Sequence, residues 1–123
     1  MRSIVPDAAA IVEVCERVGT NGIMVFTTMT VEDHSTVHTR MFAPAIGILE
    51  DPATGSASGA MSAYLVHNGL VEVGPMTELI VEQGYEIGRP ARILVQIESD
   101  DDAIQEVKVG GQCVMVVEGK LKF

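Results

Sequence analysis

Apolar residues recur along this chain at two spacings, and the change from one to the other predicts its elements. Behind Pro6 and Asp7, the residues Ala8, Ile11, Cys15 and Val18 share one helical face, and Gly19 supplies a left-handed stop, so a helix is expected over 8–18. From Ile23 to Thr30 the residues are apolar or β-branched. Glu32, Asp33, His34 and Ser35 then form a polar turn, and Val37, Thr39 and Met41 alternate with His38 and Arg40, which predicts a β-hairpin. Ala43 to Thr54, with two prolines, reads as a loop. It leads into a second helix from Ser56 to His67, closed by Asn68 and Gly69. Four more strands are expected at Thr77 to Gln83, Ala91 to Glu98, Ala103 to Val109 and Gln112 to Glu118.

The second helix shapes the expected architecture. Ala57 to Val66 include no charged residue, so the helix should be buried all round, and its Gly, Ala and Ser residues admit close neighbours. Without regular strand-helix alternation, the fold class is α+β: a curved, barrel-like mixed sheet wrapped around a central buried helix. The length of 123 residues fits one domain, 1–123, able to bury a core without disulfides or metal.

Charge then narrows the partners. Seventeen acidic against eight basic residues give a net charge of −9, which repels phosphate backbones and anionic membranes, so neither nucleic acid nor membrane is an expected partner. No run reaches the roughly 20 apolar residues of a membrane-spanning helix. The start lacks the apolar core of a secretion signal, and Cys15 and Cys113 lie far apart, so a cytoplasmic protein with free, buried thiols is expected.

Candidate chemistry concentrates in Glu50 to Gly59. An acid, Asp51, and two hydroxyls, Thr54 and Ser56, stand at the start of the small-residue helix, where backbone amides lack helical partners. The amides of Gly55, Ser56 and Ala57 can cradle a carboxylate or phosphate, Asp51 can orient the same ligand, and the Ser56 hydroxyl can donate or shuttle a proton. The same letters also suit an ordinary turn and helix cap. Arg89, a lone base in the Gln83 to Pro90 loop, can clamp a carboxylate or tie down its own loop by pairing with Glu86. His34, His38 and His67 lack zinc-site spacing, and Asp100, Asp101 and Asp102 read as a solvated turn rather than a calcium loop.

The runs RMFAPAIGILEDPATGSASGAMSAYL, EQGYEIGRPARILVQI and VGGQCVMVVEGKLKF closely resemble the C-terminal lobe of the phenazine-biosynthesis PhzF-like family, of diaminopimelate-epimerase fold. The resemblance implies a two-lobed isomerase or epimerase that moves a proton at carbon beside a carboxylate, using neither pyridoxal phosphate nor metal. It implies catalytic contact through Asp51 and Ser56, and substrate binding at Thr54, Gly55 and Ala57. It further implies that the N-terminal lobe, with the principal glutamate and histidine, is absent, so activity alone should be low or nil. A homodimer or a separately encoded N-terminal lobe is then the expected partner. The competing expectations are a non-catalytic module that binds small carboxylates or serves assembly, and a folded remnant.

Overall fold

The computed structural model describes residues 1–100 and 103–122. The first helix, α1, spans Ala8–Val18 as expected, for the expected reasons. The Asp7 carboxylate accepts from the Ala10 amide at 3.1 Å, and Gly19 at φ 72° returns its N–H to the Cys15 carbonyl. The hairpin forms from β1 (Ile23–Thr27) and β2 (Val37–Ala43), antiparallel with Val25 opposite Arg40.

The stretch expected as loop contains a strand. A single turn at Pro44–Ile46 ends at Gly47, φ 80°, and the chain folds back as β3 (Ile48–Asp51), antiparallel to β2 with an irregular register between Met41 and Ala43. The second helix, α2 (Gly55–His67), then carries the chain over to β4 (Met76–Gln83), which runs parallel to β2. β5 (Ala91–Asp100) and β6 (Ala103–Gly111) follow as antiparallel neighbours, giving the order β1-β2-β4-β5-β6 with β3 paired to β2. Asp101 and Asp102 of the expected acidic turn lie outside the described residues.

The α+β class therefore stands, as an open mixed sheet of six strands with two helices among the described residues. Period-two alternation sends Val37, Leu79, Val81, Val95 and Ile97 to one face of the sheet, where they pack with Met61, Leu65 and Val66 of α2. The small residues of α2 serve this packing. A Cβ on Gly59 would stand 3.0 Å from a methyl of Val109 and 3.5 Å from one of Val107, so the helix lies close on β6.

Two expectations are corrected here. The helix is not buried all round: Ser56, Ala60, Tyr64 and His67, spaced three or four apart, form an exposed stripe, because the sheet ends at β1 on one side and β6 on the other without closing over it. The strand expected at Gln112 to Glu118 is not formed either. Residues 112–122 have no sheet partner among the described residues, and all are exposed, including Cys113. Cys15 is buried, as expected. No helix among the described residues is long and apolar enough to cross a membrane.

Candidate functional site

β3 delivers Asp51 to the entrance of α2, and Pro52 and Ala53 turn the chain into the helix at Thr54. Thr54 sits at the capping position in extended conformation, yet its hydroxyl does not cap the helix. It donates instead to Asp51 Oδ2 at 2.5 Å. The next backbone bonds are used conventionally, with the Ser58 amide and hydroxyl both donating to the Thr54 carbonyl at 3.1 and 2.7 Å. The amides of Gly55, Ser56 and Ala57 are thus left without a side-chain cap, at the positive end of the helix dipole.

A glutamine from a distant strand holds this arrangement. Gln83, fully buried at the end of β4, donates from Nε2 to the Asp51 carbonyl at 2.6 Å and to Thr54 Oγ1 at 3.1 Å. Its Oε1 accepts from the Thr54 amide at 3.3 Å and from the Thr39 hydroxyl at 3.4 Å. The Thr39 hydroxyl also donates to the Glu82 carbonyl at 3.0 Å. Each polar atom of the Gln83 amide is satisfied, which lets a neutral polar side chain stay fully buried. Gly84 follows at φ 84°, where a Cβ would collide with the Arg89 carbonyl at 2.2 Å and the Pro52 carbonyl at 2.8 Å, so this loop presses directly on the Asp51–Thr54 turn.

The residues singled out in sequence come together unevenly. Asp51, Thr54, Gly55, Ser56 and Ala57 form one continuous turn, with Ser56 exposed and Ala57 half-buried. Ser56 and Ala57 line a groove of about 560 Å³ toward β1, and Ala53 and Gly55 line another of about 500 Å³ toward β5 and β6. Arg89 is exposed, and Glu86, its expected partner, pairs with His38 instead. Sequence reasoning did not identify Gln83 and Thr39 as supports. The Gln-Gly step closing β4 was their one visible mark.

A second polar cluster lies on the opposite face of the sheet. His38 is buried, with Nδ1 2.7 Å from Glu82 and Nε2 3.0 Å from Glu86, while Arg40 makes a two-pronged pair with Glu50 at 2.9 and 2.8 Å. Arg40 also donates to the carbonyls of Met1 and Ile4, and its guanidinium lies over the Phe42 ring. Bonding to Glu50, stronger than the opposing effect of burial, raises Arg40 above its ordinary value. Burial pushes the Glu82 carboxyl up, but the amides of Val31 and Glu32 and the His38 ring outweigh it and hold Glu82 below the usual carboxylate range. No group of three His, Cys, Asp or Glu side chains among the described residues is placed to hold a metal ion.

The phenazine biosynthesis-like protein (PhzC-PhzF) family model matches residues 1–119. The chain belongs to this family. It is 41% identical over 102 residues to an uncharacterized isomerase of Clostridium acetobutylicum, covering 82% of this chain and 34% of that protein. To trans-2,3-dihydro-3-hydroxyanthranilate isomerase of Pseudomonas chlororaphis it is 40% identical over 82 residues, covering 67% and 29%. A crystal structure of the Bacillus anthracis phenazine biosynthesis protein of the PhzF family superposes with a TM-score of 0.76 at 29% identity, covering 89% of this chain and 38% of that one. The chain thus spans about a third of the length of these relatives.

Proposed function

We propose that this chain is one lobe of a PhzF-like isomerase or epimerase that moves a proton at carbon beside a carboxylate. In this reading the amides of Gly55, Ser56 and Ala57, with Thr54 beside them, bind the substrate carboxylate. Asp51 orients the reacting part of the molecule, and the Ser56 hydroxyl donates to it or relays a proton. The principal acid and base come from a second lobe, either another copy of this chain or a separately encoded one. Against such a partner the open sheet becomes the closed, barrel-like wall around α2. No cofactor enters this chemistry. The two unpaired thiols suit a cytoplasmic setting.

The observation that carries the reading is the diversion of Thr54. A residue suited to cap α2 spends its hydroxyl on Asp51, and Gln83 fixes that choice from outside, so the first-turn amides stay available to a ligand. Membership in a family whose relatives include named isomerases supplies the reaction class.

The test is solvent deuterium incorporation at the carbon beside the carboxylate, across amino acids and cyclic amino-acid-like substrates, for the chain alone and with an N-terminal lobe. The expected result is little exchange alone and exchange in the mixture, reduced by Asp51→Asn and by Ser56→Ala. A mixture no faster than the isolated chain sinks the reading. A second reading, a non-catalytic carboxylate-binding module, is favoured by the exposure of Ser56. There the same substitutions weaken ligand affinity with no turnover to lose.

A further inference from the structure

Two backbone groups fix the direction of the hydrogen bonds at the start of α2. The Thr54 amide can only donate and the Asp51 carbonyl can only accept, so the Gln83 carboxamide between them fits one way round, with Oε1 on the amide and Nε2 on the carbonyl. The second Nε2 proton then faces Thr54 Oγ1 at 3.1 Å, and Oγ1 must accept it. The single proton of the Thr54 hydroxyl is left for Asp51 Oδ2, so the bonds run in one direction, from Gln83 through Thr54 to Asp51. A threonine at a helix N-cap ordinarily uses the same oxygen differently, accepting from the amide two or three residues on, here Ser56 or Ala57. Were Oγ1 to turn to that bond, one N–H of the fully buried Gln83 would lose its acceptor, and an orphaned buried donor costs more than a cap typically returns.

We propose that Gln83 is a positioning residue of this site, one that sets Thr54 between two states. With Nε2 in place, the Thr54 hydroxyl is a donor to Asp51 and the first-turn amides are open to a ligand. Without it, the hydroxyl turns to cap α2 and the protein closes those amides itself. Gly84 lets a residue of β4 exert this control. Its φ of 84° and its missing Cβ allow the backbone just after Gln83 to lie against the Pro52 carbonyl, which keeps the carboxamide within reach of the turn. Gln83 touches no substrate in this account and acts through Thr54 alone. The inference deepens the proposed carboxylate binding and rests on that reading only for what the open amides hold, since the two states of Thr54 need no ligand.

Amide hydrogen exchange of the ligand-free chain, read residue by residue by NMR, tests it. In Gln83→Met the two carboxamide donors are gone, so Thr54 should cap α2, and exchange at Ser56 or Ala57 should slow by roughly fivefold or more. Mere loosening of the turn would speed exchange there, so the sign separates positioning from stability. Malonate, titrated as a dicarboxylate probe, should bind about fivefold or more weakly to Gln83→Met, because the cap must open first. Both effects should vanish when Gln83→Met is made in a Thr54→Ala background, which has no hydroxyl to turn. Unchanged or faster exchange in Gln83→Met overturns the proposal, and so does slowing that persists with Thr54→Ala. If Gln83→Met does not fold, Thr54→Ser decides. Serine keeps the hydroxyl without the methyl group, so with Gln83 in place Ser56 and Ala57 should exchange as fast as in the parent. Slower exchange in Thr54→Ser would show that the methyl group, not Gln83, holds the hydroxyl off the helix. A parent that ignores malonate, while Gln83→Met slows exchange, upholds this inference and counts only against the proposed carboxylate binding.

Discussion

The two faces of β2 solve the same problem in different ways. Thr39 is fully buried and so, nearly, are its neighbours His38 and Arg40, yet alternation sends them to opposite sides of the sheet. On the Thr39 side the polar groups are neutral: hydroxyls and one carboxamide share hydrogen bonds, and the result is a fixed turn at the start of α2. On the other side they are ionic. His38 lies between Glu82 and Glu86, Arg40 is gripped by Glu50, and the bonds tie down the N-terminal residues and the connection between β1 and β2. The neutral network positions the candidate chemistry, while the ionic one clamps the scaffold behind it. A buried carboxamide needs only partners of good geometry. A buried charge needs a countercharge as well, which makes its face sensitive to substitution and to acid.

Arg40→Ala should therefore have the largest effect. It leaves the Glu50 carboxylate buried without its partner and frees the carbonyls of Met1 and Ile4, a loss of about 3–5 kcal/mol for a broken buried pair. Urea denaturation at neutral pH measures it as a drop in midpoint at unchanged slope. A midpoint within experimental error of the parent would show that the clamp contributes nothing to the fold.

Much of the fold was legible in the sequence because the relevant interactions are local. Asp7, Gly19, Asn68 and the alternation in β2 and β4 act within a few residues, and both helices and five of the observed strands followed from them. What the sequence hid depends on distant partners. Ile48 and Leu49 are exposed and the strand is four residues long, so β3 exists only because Gly47 turns it back onto β2. Gln112 to Glu118 has a strand's composition but no neighbouring edge within its own chain, and composition does not report that. In the candidate site, the turn from Asp51 to Ala57 was readable because it is contiguous. Gln83, 32 residues from Asp51, was not.

Acid should expose the ionic face next. Glu82 is held below the ordinary carboxylate value in the folded protein, so its contribution is present above the unfolded value and is lost as pH falls through the folded one. Thermal midpoints should fall as pH drops below the usual carboxylate range. Glu82→Gln should cost about 1–3 kcal/mol at neutral pH, since donors from Val31, Glu32 and His38 lose part of their acceptor. It should also flatten the acid slope. A variant whose midpoint falls with pH as steeply as the parent's would remove Glu82 from the account.

The smallest effect should come from the neutral face, where Thr39→Val deletes one hydroxyl and keeps the shape. The one hydroxyl proton that the Glu82 carbonyl and Gln83 Oε1 share is lost, but Oε1 keeps the Thr54 amide, so the cost should be about 1 kcal/mol. No group that titrates in acid joins Thr39 in these bonds, so the cost should hold constant across the pH range in which Glu82→Gln changes its effect. That constancy is the sharper measurement. If the Thr39→Val penalty shrinks in parallel with the acid loss at Glu82, the two faces are coupled through the β4 backbone, whose Glu82 carbonyl accepts from Thr39 while the same residue's carboxylate serves the other side. The clamp and the candidate site would then be one cooperative unit, and acid would loosen the turn at Asp51 along with the scaffold.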